Sequence, residues 1–180
     1  MGALEPSVVY ALKLRLGWPA WKQGLLWGCT VPAMHGLSTA AVGLLDRQLG
    51  ASPWQWVRAG LLLSILGLPL TGLALSGFGA ATLGPSLAAS VCAIGLSLQG
   101  ACLGCVVTMV QPLLAALAAQ RGDLSVAPLL AVSDSGQSLG FTVGPILGSL
   151  CVRHTEWLSI GLAAAAGAAL IPVLLHLAQK

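Results

Sequence analysis

Apolar residues run along this chain in long blocks, broken by a few short polar clusters. A membrane span takes about 20 predominantly apolar residues. Gln23 to Leu45 carries no charge and is flanked by Lys22 and Asp46. Ala59 to Gln120 is again free of charge; it is too long for one span and predicts two helices with a turn. Gly and Pro punctuate helices, which puts that turn at Ser76-Gly77-Phe78-Gly79 or at Gly84-Pro85. Val126 to Cys151 predicts a fourth span and Trp157 to Leu177 a fifth, with Trp157 suited to an interfacial anchor. Met1 to Leu12 reads as the last turns of a further helix. The expectation is an all-α integral membrane protein with five full transmembrane helices plus the end of a sixth. All connections are short, so neighbours should run antiparallel and no extramembrane domain is expected.

Composition supports a bilayer as the solvent. Hydrophobic residues make up 57% and charged residues 7%, against roughly 25% charged in soluble domains. Asn is absent, so the chain holds no glycosylation sequon. The net charge is +3, but the eight basic residues are scattered, which argues against a nucleic-acid surface. The first residues lack a basic segment followed by an apolar one, so insertion is expected to rely on the internal spans. One membrane side collects Lys13, Arg15, Lys22 and Arg153, and the other Arg47, Arg58, Arg121 and Lys180. The positive-inside rule therefore chooses no orientation. Cys29, Cys92, Cys102, Cys105 and Cys151 all lie in apolar stretches and read as packing residues. Cys102-x-x-Cys105 has metal or redox spacing without a second ligand pair, so no metal or cofactor is expected.

The chemistry is concentrated around Asp134, the only charged residue between Asp123 and Arg153. An acid at membrane depth costs about 2.5–3.5 kcal/mol on translocon-insertion scales, so it marks a cavity, an ion or a partner. At about 100° per residue, Gln137, Ser138 and Phe141 fall near its face. Gly136, Gly140, Gly144 and Gly148 then form a second stripe for close helix packing, and Pro145 predicts a kink that could serve gating. His35, in the first full span, is a conceivable proton carrier, or a neutral ring bonded to Ser38, Thr39 or the backbone. Glu5-Pro6 looks like a helix end. Gln99 and Gln111 read as interhelical polar contacts. Asp46 and Arg47 close the first full span and suit helix-end neutralisation. No nucleophile elbow, Walker loop, zincin motif or pair of acids is present, so no enzyme activity is expected.

Gly43-Leu-Leu-Asp46-Arg47-Gln-Leu-Gly50 resembles the short loop signature of the major facilitator superfamily. Gly140-Phe-Thr-Val-Gly144-Pro145-Ile-Leu-Gly148 resembles a GxxxGP segment of its antiporters. Within the superfamily the chain is most similar to the vesicular amine transporters. Leu4-Glu5-Pro6 matches an acid-proline pair ending the seventh helix, with Trp21 and Gly24 following at similar spacing. Pro112 matches a proline of the tenth helix, and Asp134, Gly140, Phe141, Gly144 and Pro145 match the eleventh. The resemblance implies that residues 1–180 are the C-terminal half of a twelve-helix transporter, from the end of helix 7 to helix 12. It further implies proton-coupled antiport of a small organic cation or amine, in a vesicle, other endomembrane or plasma membrane. Asp134 and Glu5 would serve coupling and amine recognition; Gln137, Ser138, Phe141 and His35 would line the cavity. The Asp46–Arg58 loop, the Arg121 loop and Lys180 would face the cytosol. A second intramembrane acid of the family falls at Val107, and the basic residues usual after Gly50 are replaced by Ala51-Ser52-Pro53. The N-terminal half, needed as the other wall of the site, is missing from the sequence. The alternative is a membrane protein that does not transport: a truncated product, or an assembly partner packing through the glycine-rich helix.

Overall fold

The structure, a computed structural model, describes residues 4–121 and 125–178, except for the side chains of 121, 152, 155 and 176–178. Lys180 and residues 122–124 of the Arg121 loop lie outside the described residues, as do Met1 to Ala3. The described residues are all-helical: α1 (Leu4–Leu16), α2 (Ala20–Leu49), α3 (Pro53–Leu75), α4 (Gly77–Arg121), α5 (Val126–Leu150) and α6 (Thr155–Ala178). A single 3-10 turn, Val152–His154, joins the last two.

Three of these helices are long and apolar enough to cross a membrane, with spans at Pro53–Leu75, Gly77–Gln120 and Glu156–Leu175. α2 and α5, which coincide with two further expected spans, are not among them. Each carries polar side chains through its middle, His35, Ser38 and Thr39 in α2 and Ser133, Asp134, Ser135, Gln137 and Ser138 in α5.

Local chemistry explains the helix ends. Gly17 (φ 63°) and Gly50 (φ 57°) adopt the left-handed conformation that closes helices. Their N–H groups donate to Lys13 O (3.1 Å) and Asp46 O (2.9 Å). α1 therefore continues one turn beyond the expected end at Leu12. Both candidate turns in the long apolar run are real breaks. Ser76 leaves the helix at the end of α3, and its hydroxyl accepts a hydrogen bond from Gly79 N at 2.8 Å, capping α4. Gly84 has φ 75° and ψ 161°, a conformation essentially restricted to glycine, and Pro85 follows it. α4 is thus a short helix and a long one. The long piece, from Pro85 to Arg121, extends about 55 Å at 1.5 Å per residue, more than the roughly 30 Å hydrocarbon core.

α4 is the axle of the fold. It packs on α3 along one side and on α2 along another, while α6 packs on α3. Glycines set these crossings. A Cβ at Gly67 of α3 would lie 2.8 Å from Gly95 O of α4, and one at Gly72 would collide with Ser159 of α6. Gly100 and Gly104 of α4 lie against the backbone of Val31 and His35 in α2. In lipid, where burying apolar surface gives little drive, such backbone approach and interhelical hydrogen bonds hold helices together. Gln99 supplies one pair: its amide donates to Ser64 O (3.1 Å) and accepts from the Ser64 hydroxyl (3.3 Å). Thr108 and Thr39 form another at 3.3 Å. Two buried clusters lie along the bundle. One joins Leu4, Val8 and Leu12 to Val31, Leu68, Leu75, Cys92 and Leu96, and the other joins Val42, Val57, Cys105, Met109, Leu113 and Val173. Neither contains a residue of α5.

Candidate functional site

α5 stands at the edge of the bundle. Its main packing is on α1, with a lighter approach to α4, and only Gly144 and Gly148 are buried. Beside it, bounded by α4 and a single residue of α6, Leu162, is a cavity of about 680 Å³. That volume is in the range of small-molecule sites, about 300–1,000 Å³. Asp134, Gln137 and Phe141 line it from α5, and Val107 and Gln111 line it from α4. Among the described residues no hydrogen bond or ion pair engages Asp134. The carboxylate, two amides and an aromatic face therefore share one apolar-walled space. This is a set able to hold an organic cation by charge and by cation–π attraction.

The glycine ladder does not stay on a separate face as expected. Gly136, Gly140 and Gly144 line the same cavity as Asp134. The reason is helical drift: a step of four residues advances about 40°, so the ladder sweeps about 120° from Gly136 to Gly148. It starts far round from Asp134 and ends between the directions of Gln137 and Phe141. Its halves also behave differently. A Cβ at Gly136 or Gly140 would meet nothing within 4 Å, while Gly144 and Gly148 are buried. Pro145 lies within α5, which continues as helix to Leu150.

Two residues expected in the lining are elsewhere. Ser138 is exposed and lies beyond the cavity's edge, because it is turned a further 40° or so past Asp134. His35 sits on α2 at its crossing with α4, outside the lining. Its Nδ1 is buried without a hydrogen-bond partner. Ser38 does not satisfy it, since that hydroxyl donates to His35 O (3.1 Å), and Thr39 is bonded to Thr108. Glu5 is exposed in the first turn of α1 and also lies outside the lining. Cavity chemistry thus gathers Asp134, Gln137 and Phe141 but not Glu5, Ser138 or His35. Gln111, read from sequence as an interhelical contact, belongs with the first group. Val107, where the resemblance would put a second acid, lines the cavity as an apolar residue.

The loop segment Gly43 to Gly50 is at the opposite end of α2 from its N-terminus. Asp46 accepts a hydrogen bond from the Trp56 indole at 3.2 Å, tying the end of α2 to the start of α3. Arg47 is exposed, Gly43 has open space around its Cβ direction, and Gly50 supplies the left-handed cap. Cys92 and Cys105 are buried thiols within the two clusters. Among the described residues no three His, Cys, Asp or Glu side chains gather as metal ligands.

Comparison with protein-family models, with curated proteins and with solved structures returned no match for this chain.

Proposed function

We propose that this chain is one half of a multi-pass membrane transporter that exchanges an organic cation for protons, with Asp134 as the carboxylate the two share. One observation carries the reading: the acid that stands alone in the apolar sequence lines a ligand-sized cavity together with Gln137, Phe141 and Gln111. The ionised carboxylate would hold an ammonium group. Phe141 would face its cationic end, and the two amides would orient neighbouring polar atoms. A proton arriving at Asp134 would neutralise the carboxylate and release the cation, so the two would compete for one oxygen pair. On this reading α2, α3, α4, α5 and α6 all span a vesicle or other endomembrane, α1 is the end of a further span, and residues 1–180 correspond to the C-terminal half of a major facilitator transporter. The thinly covered α5 supports a missing opposite wall, because alternating access needs two halves moving about one site.

The test is uptake by a complete transporter containing this half. Asp134→Asn should abolish accumulation driven by a pH gradient while leaving the protein in the membrane. Undiminished uptake would overturn the assignment of Asp134.

A second reading, an assembly partner that does not transport, draws on Gly136 and Gly140, whose Cβ directions are open. A helix of another chain would then fill the cavity. Co-purification of a stoichiometric partner, with no uptake, would favour it.

A further inference from the structure

A second recess, of about 600 Å³, lies between α3 and α6. Its body is apolar, with Leu70 and Leu73 of α3, Ile160 of α6 and Phe78 beyond the turn. It opens outward, for Phe78 is 75% exposed and Leu73 53%. One edge is closed where Gly72 and Ser159 bring the two helices together. Its polar members are Ser76 and Glu156, at the end of α3 and in the first turn of α6. The polar groups therefore sit at one mouth, level with the helix ends, and the apolar body runs away from them. Exposed Trp157 follows Glu156 and marks the same level as a membrane interface. Ser76 uses its hydroxyl to cap α4 and to donate to Leu73 O, which leaves the Glu156 carboxylate as the acceptor at the mouth. An exposed cation lies near the mouth without lining it: a Cβ on Gly77, between the lining residues Ser76 and Phe78, would lie 3.3 Å from the Arg15 guanidinium.

We propose that this recess seats a phospholipid with a zwitterionic, primary-amine headgroup, of the phosphatidylethanolamine class. An acyl chain fits the apolar body, but lipid tails everywhere are equally apolar, so the body alone selects nothing. Selection comes from the mouth. Arg15 takes the phosphate by charge-assisted hydrogen bonds, and Glu156 takes the ammonium. A choline headgroup keeps its charge but has no N–H to donate to Glu156. A glycerol headgroup with net negative charge meets Arg15 and is repelled by Glu156. The site is independent of Asp134 and stands whether or not the chain transports.

The full chain is reconstituted in bilayers of equal phosphatidylethanolamine, phosphatidylcholine and phosphatidylglycerol, extracted in mild detergent, and its retained lipids are quantified by mass spectrometry. Retention of the primary amine should exceed that of choline about fivefold, the scale of one net hydrogen bond. Stepwise N-methylation of the headgroup should lower retention stepwise in the unmodified chain, which decides the question even where a variant does not fold. Glu156→Gln should abolish the preference while retaining lipid, and Arg15→Gln should lower retention of the amine and choline headgroups alike. Equal retention of the amine and choline lipids, a preference for phosphatidylglycerol, no retained lipid, or a preference unchanged in Glu156→Gln would each overturn the proposal.

Discussion

Gly67 offers the sharpest stability test. Replacing it with Ala adds one methyl at the α3–α4 crossing, 2.8 Å from Gly95 O, 2.8 Å from the Leu98 Cβ and 2.9 Å from the Gln99 amide. The amide nitrogen can yield; the Gly95 carbonyl is backbone and cannot. Reaching the 3.4 Å edge of ordinary contact requires the helices to part by about 0.6 Å, and overpacking of this kind costs about 1–3 kcal/mol. Alanine also returns about 1 kcal/mol through its better helix propensity. Gly36→Ala in α2 isolates that gain, since a Cβ there meets nothing within 4 Å. The control should therefore stabilise slightly and Gly67→Ala should destabilise, with a difference of about 1–3 kcal/mol between them. Reversible unfolding of the purified chain in mixed micelles, followed by helical circular dichroism, measures both. Equal shifts for the two substitutions would refute the close crossing as the source of stability.

Two further outcomes follow from the same helices. In a double-mutant cycle with Ser64→Ala and Gln99→Leu, the coupling energy should be near 0.6 kcal/mol and below about 1.7, the range for polar pairs within membranes; zero coupling would deny the bond from the Ser64 hydroxyl to Gln99. Gly84→Ala places a side chain at φ 75° and should cost of order 1–3 kcal/mol, read in the same unfolding assay; an unchanged midpoint would mean that the break at Gly84-Pro85 carries no strain.

Much of the helix order was legible because charge-free runs and Gly-Pro punctuation are local signals. The choice between Ser76-Gly77 and Gly84-Pro85 was not a choice: each breaks the helix by its own chemistry, a side-chain cap in one and a glycine-only conformation in the other. Helix partners were far less legible. In lipid both the core and the outer surface are apolar, so hydrophobicity does not mark which face packs. Gly67, Gly95 and Gly100 at the crossings look the same in sequence as Gly36 and Gly136 in open space. The Gly100-Ala-Cys-Leu-Gly104 spacing was a usable signal for the α2–α4 contact, overshadowed by the longer ladder in α5. At the cavity, helical periodicity puts Gln137 and Phe141 near the face of Asp134 but puts Ser138 there too, which lies outside the lining. Gln111 does not follow from periodicity, because its position depends on how α4 approaches α5. A four-residue repeat is not a straight line on a helix with 3.6 residues per turn, so the glycine ladder drifts into the cavity lining.

The pairing of α6 with α3 has a consequence for synthesis. α5 leaves the ribosome first, yet the helix that closes over Gly72 is the next one. Until α6 arrives, the flank of α3 at Gly72 lacks its partner, while α5 packs elsewhere, on α1 and α4. A ribosome halted at Leu150 would have made Asp134 and the cavity-facing side of α5, but not the helix that packs on α3. The α5 face of the cavity is therefore synthesised before the helix that packs on α3.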